Sequence, residues 1–194
     1  GLLTELEVSD LRFTTAEGVN YLKQYPQDPP LAQDDLEKLV KHTEGWAAGL
    51  TLTALALGKQ GDQRHFIDTF SGAHIYLREY FMETVLKRSS PEVQSFLLKT
   101  AILKNLTGSL CNAVTGREDG AQMLEHLWQE NLFIIGLKEQ GWYRYHDLFA
   151  EMLSSQLNAR YPEEVNQLHQ KAAQWYRNQY APADAIYHLL FIEA

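Results

Sequence analysis

His146 is the residue of this sequence that is best placed to contact a reacting group. It follows the aromatic segment Trp142–Tyr145, which predicts a β-strand, and it precedes an apolar run with the spacing of an amphipathic helix. The first turn of a helix offers free N–H groups and the positive end of the helix dipole, and both attract phosphate. We therefore treat His146 as a candidate phosphate contact. The alternative is a structural role, in which the imidazole caps the helix or bonds to Asp147 or Tyr145.

Other kinds of chemistry lack the residues that they need. A phosphate loop has the pattern G-x-x-x-x-G-K-[ST], and Gly58–Gln60 lacks both the first glycine and the Ser/Thr after the lysine. Zinc sites usually need convergent ligands, and no such spacing is found among the following residues: His42, His65, His74, His126, His169 and His188. Cys111 lies in an apolar segment that is typical of a core. We therefore predict no metal site and no catalytic site, so the chain is not expected to be an enzyme.

The composition indicates a protein of a reducing, aqueous compartment. The 194 residues include one cysteine, which excludes an internal disulfide. No stretch approaches the roughly 20 apolar residues of a membrane helix, and the first residues lack the pattern of a signal peptide. We expect a cytoplasmic protein that does not contact a membrane.

The distribution of charge disfavours nucleic acid as a partner. DNA-binding surfaces usually collect Lys and Arg, because affinity comes largely from neutralising phosphates. The net charge is −8, and residues 63–160 carry ten Lys/Arg against eleven Asp/Glu. We expect no direct DNA binding by this chain.

The elements that would position His146 follow a winged-helix pattern. Apolar residues at three- and four-residue spacing predict these helices: Asp34–His42, Trp46–Leu57, Ala73–Arg88, a helix from Pro91, Leu110–Val114, Asp119–Gln129 and His146–Ala159. Leu132–Leu137 and Trp142–Tyr145 predict two strands around a turn. Three helices followed by a two-stranded wing is the winged-helix pattern, which we place at residues 70–160.

Local signals add detail to these helices. Ser89 is expected to cap a helix in which Pro91 stands in the first turn and Glu92 completes a capping box. Trp128 is expected to be buried by its helix. The helix Trp46–Leu57 is apolar on nearly all sides, so it is expected to be buried as well.

Two further helices follow the winged helix, opened by Pro162 and Pro182. Alanines stand beside large apolar residues in this pair, which resembles one unit of a helical repeat. One unit cannot form a stable solenoid, so it either docks on the winged helix or continues into further repeats, and we favour the continuation. The abrupt start at Gly1–Leu3 is interpreted as a boundary within a longer protein.

Several sequence segments, taken in order, resemble those of one protein family across almost the whole chain. They are Asp10–Thr14 (DLRFT), Thr43–Leu50 (TEGWAAGL), Phe96–Leu103 (FLLKTAIL), Asn131–Phe133 with Trp142–Phe149 (NLF and WYRYHDLF), and Leu168–Tyr176 with Ala185–His188. Their order and spacing resemble those of the MalT-like proteins, which are large ATP-binding transcriptional regulators of the LuxR family and signal-transducing (STAND-type) ATPases.

The resemblance implies a mainly α fold in four parts. Residues 1–13 would be a remnant of the strand that leaves an ATPase core, and residues 14–69 a small helical domain. Residues 70–160 would be the winged helix, and residues 161–194 the start of a TPR-like repeat. The ATPase core with its ADP or ATP and magnesium, the sensor repeats and a DNA reader would all lie outside this chain, which would hold no cofactor by itself.

The resemblance also implies roles for three residues. The winged-helix histidine of the family, here His146, contacts the β-phosphate of ADP and holds the protein closed until inducer and ATP open it. Gly45 and Trp46 stand where related ATPases carry Gly-x-Pro, whose proline packs on adenine. Position 47 is Ala here, so Trp46 would have to supply the apolar surface. The alternative is a helix break with a buried tryptophan.

Three functions are compatible with these observations. The first is a non-catalytic switch region of an ATP-dependent activator, whose partners are the ATPase core and sensor repeats of the same protein, with possible self-association. The second is a scaffold that binds other protein and has no nucleotide role. The third is a DNA-binding winged helix, which the charge disfavours.

Overall fold

The computed structural model describes residues 12–25, 30–57, 63–71 and 74–192, without the side chains of residues 63 and 64. The helices are α1 (Thr15–Leu22), α2 (Gln33–His42), α3 (Ala47–Leu57), α4 (Gln63–Thr69), α5 (Ile75–Thr84), α6 (Pro91–Thr100), α7 (Gly108–Thr115), α8 (Gly120–Gln129), α9 (Asp147–Arg160), α10 (Pro162–Asn178) and α11 (Pro182–Leu190). The strands are β1 (Ile134–Gly136) and β2 (Tyr143–Tyr145). This confirms the predicted mainly α fold. Within the described ranges, no helix has both the length and the apolarity that crossing a membrane requires.

The chain divides into two compact units between Glu79 and Tyr80. The predicted division into four parts stays a prediction. Of the predicted exit strand, residues 1–11 lie outside the described ranges.

The first unit is built from amphipathic helices with marked ends. Thr14 caps α1 by accepting a hydrogen bond from the Glu17 N–H, and the Glu17 carboxylate accepts one from the Thr14 N–H at 2.8 Å. Helices α1, α2 and α3 bury these apolar side chains: Val19, Leu22, Leu36, Leu39, Val40, Leu50, Ala54 and Leu57. Most of α3 is buried, as expected from its apolar sequence, although Leu55 is 48 % exposed.

The second unit contains the three helices and the two strands of the predicted winged-helix pattern, but it begins at Tyr80 and not at residue 70. Helices α6, α7 and α8 precede β1 and β2, which pair antiparallel with Ile134 opposite Tyr145. Leu106, between α6 and α7, forms a further bridge to Tyr143. The core includes Phe81, Phe96, Leu97, Leu110, Leu127, Leu148, Phe149 and Met152. Cys111 is a core residue, as predicted, and burial raises the pKa of its thiol to about 12.

The cap of α6 differs from the prediction by one residue. Ser90, not Ser89, accepts the hydrogen bond from the Val93 N–H, because Pro91 then takes the first helical position. Ser89 instead donates to the carbonyl of Val85 at 2.8 Å.

The predicted burial of Trp128 is wrong, since this side chain is 49 % exposed. Helix α8 buries the face that carries Leu124 and Leu127. Trp128 lies at the edge of that face, about 40° from Leu124 and about 100° from Leu127 around the helix, and about half of its side chain stays exposed.

Helices α10 and α11 form a pair with buried alanines, as the sequence predicts, at Ala172, Ala173 and Ala185. Helix α10 also packs on α7, where the Lys171 ammonium donates to the carbonyl of Val114 at 3.4 Å. The pair therefore docks on the winged helix within the second unit.

Candidate functional site

The segment Thr43–Trp46 forms a tight turn between α2 and α3. Glu44 and Gly45 both have left-handed backbone, with φ of 48° and 69°. The Gly45 N–H donates to the carbonyl of Val40 at 3.2 Å, which closes the turn. The predicted interruption of the helix at Gly45 is confirmed.

This turn meets the segment that precedes α1. The Phe13 N–H donates to the Gly45 carbonyl at 2.9 Å, and the Arg12 guanidinium donates to the Glu44 carboxylate at 3.3 Å. A Cβ atom at position 45 would lie 2.1 Å from the Phe13 carbonyl oxygen, so only glycine fits. The structure therefore joins the described part of the DLRFT phrase to the TEGWAAGL phrase, although 32 residues separate Arg12 from Glu44.

Trp46 is half-buried and packs on the first turns of α3. A Cβ atom at Gly49 would come within 2.5 Å of the indole Cε3 atom, so the ring lies directly on the Gly49 backbone. Ala47, where the resemblance leads one to expect a proline, is exposed. This geometry fits the predicted helix break, although Trp46 is half-buried and not fully buried. The nucleotide contact of Gly45 and Trp46 stays a prediction.

An open depression of about 760 Å³ lies beside the turn. Its wall includes Gly45 and these charged residues: Asp34, Glu37, Lys38, Lys41 and Glu44. Carboxylates outnumber ammonium groups, and Lys38 pairs with Asp35 at 3.3 Å. The depression is therefore poorly suited to the phosphate groups of a nucleotide.

His146 lies where the wing joins α9, as predicted. Its backbone N–H donates to the Phe133 carbonyl at 2.8 Å, and its backbone carbonyl accepts a hydrogen bond from the Ala150 N–H at 2.9 Å. The side chain is 3 % exposed, and its ring meets that of Phe133 edge-on at 6.5 Å. The imidazole makes no capping hydrogen bond to α9. One of the structural alternatives for His146 is therefore excluded.

The backbone that holds His146 is strained at Phe133. Phe133 has φ of 55° and Asn131 has φ of 52°, and a bulky residue with positive φ is uncommon. The Phe133 ring packs 5.0 Å from Phe81 and 5.3 Å from Phe149, so aromatic contacts hold the unfavourable conformation. Such strain costs roughly 1–3 kcal/mol and collects at functional sites. Sequence reasoning missed Phe133, because no local signal predicts positive φ at a phenylalanine.

A cationic side chain lies at the same helix end. The Arg144 guanidinium donates to the Tyr145 carbonyl at 3.1 Å and to the Asp147 carboxylate at 3.2 Å. Tyr145 is buried and its hydroxyl bonds to that of Thr100 at 2.7 Å, while burial raises the pKa of Tyr145. This buried hydrogen bond positions the end of β2, and His146 is the next residue.

The sequence matches known proteins over almost its whole length. Residues 82–165 match the MalT winged helix domain. The chain is 34 % identical over 192 residues to the HTH-type transcriptional regulator MalT of Vibrio campbellii, which covers 96 % of the chain, and 30 % identical over 191 residues to that of Klebsiella pneumoniae, which covers 97 %. The chain is MalT-like.

A relative with a different name shares the same region. The MalT-like chain is 32 % identical over 189 residues to the serine/threonine-protein kinase PknK of Mycobacterium tuberculosis, which covers 97 % of the chain. It spans 21 % of the length of the two MalT proteins and 17 % of the length of PknK. The chain therefore corresponds to about a fifth of the curated relatives that it matches.

The three predicted site residues of the MalT-like chain lie in different units. Gly45 and Trp46 belong to the first unit and His146 belongs to the second. Their shared role at a nucleotide stays a prediction.

The structure also joins two histidines that sequence reasoning left apart. The Nδ1 atoms of His169 and His188 lie 2.9 Å from each other, and both side chains are buried. One imidazole must donate and the other accept, so at least the accepting ring is neutral. Burial lowers the pKa of both, and burial together with the nearby His169 lowers that of His188 to about 4. In the part of the chain that the structure describes, no three potential metal ligands converge.

Proposed function

We propose that this chain is the non-catalytic switch region of an ATP-dependent transcriptional regulator. In this proposal the winged helix closes on ADP that is bound to an ATPase core outside the chain. Further repeats sense an inducer, and the switch passes that signal to a DNA-binding domain. The chain acts in the cytoplasm, and its partners are the core and the repeats of the same protein, with self-association in the open state.

The position of His146 is the observation that carries the proposal. It stands at the N-terminus of α9, on a backbone that the strained Phe133 holds, and next to the cationic Arg144. A helix N-terminus and a guanidinium both favour phosphate oxygens. The ring is 3 % exposed, so closure of the winged helix on the nucleotide must make it accessible to the phosphate.

The sequence supports a role without catalysis. It contains no phosphate loop, and neither the H-R-D nor the D-F-G motif of protein kinases occurs in it. The relatives named as transcriptional regulators and the relative named as a kinase share this region. A coupling module is a role that proteins with different catalytic parts can share.

A protein-binding scaffold without a nucleotide role is the second candidate. It is favoured by apolar side chains that α11 exposes, with Ile186 at 56 % and Leu190 at 62 %. The two candidates differ in one feature of the longer protein, because the switch requires a phosphate loop in a separate ATPase core.

The proposal is tested in the longer protein that carries this region. His146→Ala should speed ADP dissociation about tenfold, since a hydrogen bond to a charged group contributes roughly 1.5–3 kcal/mol. It should also raise transcriptional activity without inducer. His126→Ala, at an exposed histidine of α8, is the matched control and should change neither. An unchanged ADP dissociation rate and unchanged basal activity in His146→Ala would overturn the assignment.

A further inference from the structure

A groove of about 440 Å³ lies between α8 and the turn of the wing. We call it the α8–wing groove, and its lining includes Gly108, Leu124, Glu125, Trp128, Gly141 and Tyr143. Ligand pockets usually have volumes of about 300–1,000 Å³, so the groove is large enough for a side chain and its neighbours. All of these residues lie in the second unit.

Glu125 brings a negative charge into this groove. Its carboxylate accepts hydrogen bonds from the Tyr143 hydroxyl and from the Gln129 amide, each at 3.0 Å. Both donors are neutral, and among the ion pairs of the described residues none includes Glu125. The carboxylate is therefore held in one position while its charge stays available to a cation.

Trp128 supplies an aromatic surface next to this charge. It follows Glu125 by three residues, so both side chains lie on the same side of α8. The indole is 49 % exposed, although the sequence predicted that its helix would bury it. A planar cation suits this pair, because a guanidinium can stack on an indole and donate to a carboxylate at the same time.

The charge of α8 identifies the kind of partner. In the order of the elements, α8 is the third helix of the winged helix and directly precedes the wing, the place of a recognition helix in DNA-binding relatives of this fold. Residues 120–129 contain no Lys or Arg, and Glu130 follows them. This surface repels phosphate and attracts a basic group.

We propose that the α8–wing groove binds an arginine side chain that a segment of a partner protein presents. The guanidinium stacks on Trp128 and donates to Glu125. Gly141, in the turn of the wing, leaves the entrance of the groove open, since a Cβ atom there would meet no other atom within 4 Å. This inference is independent of any nucleotide role of the chain.

The test uses the 194-residue chain and two fluorescent peptides of sequence Gly-Ser-Xaa-Leu-Ser-Gly. One peptide has arginine at Xaa and the other has citrulline, which has a similar shape but no charge. The arginine peptide should bind at least about fivefold more tightly in low salt, as a stacked and paired cation requires. It should also shift the indole N–H signal of Trp128 in an NMR spectrum, which is assigned with Trp128→Phe.

Matched variants locate the charge that is responsible. Glu125→Gln keeps an acceptor for the Tyr143 hydroxyl, so the fold should persist, and it should bind the two peptides with equal affinity. Glu130→Gln removes the same charge outside the lining and should bind the arginine peptide within about twofold of the unchanged chain. Absence of saturable binding, equal affinity for the two peptides in the unchanged chain, or a signal of Trp128 that does not move would each overturn the proposal.

Discussion

Two segments of this protein adopt left-handed backbone beside a predicted nucleotide contact, and they do so by different means. In the first unit, the turn combines Glu44 with Gly45, and positive φ costs the glycine little. In the second unit, the segment before β1 uses Asn131 and Phe133, and phenylalanine has no such freedom. The first conformation is encoded locally, whereas the second depends on tertiary packing.

The difference shows where strain is held in the molecule. Left-handed backbone costs a residue with a side chain roughly 1–2 kcal/mol. At Phe133 the contacts with Phe81 and Phe149 offset that cost, and the carbonyl of Phe133 receives the N–H of His146. The position of His146 is therefore tied to the aromatic core of the winged helix, while Gly45 is tied to the backbone of Phe13.

The largest effect is expected for Gly45→Ala. The added Cβ would clash with the Phe13 carbonyl and would also require positive φ, so α2 and α3 should lose about 3 kcal/mol of protection in native-state hydrogen exchange. Gly116→Ala is the control, because Gly116 has φ of 77° but no atom within 4 Å of its missing Cβ. It should cost only about 1–2 kcal/mol in α7. Equal losses would show that the contact with Phe13 contributes nothing.

The histidine pair should make the stability of the second unit depend on pH. His188 has a lowered pKa in the fold, so unfolded chains bind more protons as the pH falls below about 6.5. The helix pair α10–α11 should lose about 1–2 kcal/mol between pH 7 and pH 5, measured by hydrogen exchange of its amides. His188→Asn keeps a hydrogen-bonding group without titration and should reduce that loss. A stability that does not change over this pH range would contradict the neutral pair.

A smaller effect tests the strain at Phe133 itself. Both Phe133→Ala and Phe133→Gly remove the ring, so they share the loss of packing. Alanine usually exceeds glycine in stability by roughly 0.5–1 kcal/mol. At position 133 the order should be reversed by about 1 kcal/mol, because glycine relieves the positive φ. Denaturant unfolding of the two variants measures this difference, and the ordinary order would show that Phe133 is not strained.

Local signals in the sequence predicted much of the fold. The break at Gly45, the wing and the helices opened by Pro162 and Pro182 follow from residue types that leave few conformations. The cap at Ser90 instead of Ser89 was missed by one residue because both serines precede the same proline.

Features that depend on tertiary contacts were not predictable in this way. The exposure of Trp128, the strain at Phe133 and the bond between His169 and His188 arise from neighbours that are distant in sequence. The placement of His146 at the start of α9 was predictable, but the aromatic cluster that holds it was not.

The proposed contact between His146 and the β-phosphate of ADP can be tested by comparing two nucleotides. The most direct test measures the affinities of ADP and AMP for the longer protein that carries a phosphate loop, with and without His146→Ala. We expect the variant to bind ADP about tenfold more weakly and to bind AMP with unchanged affinity, because AMP has no β-phosphate. Equal losses for ADP and AMP, or no loss for either, would contradict it.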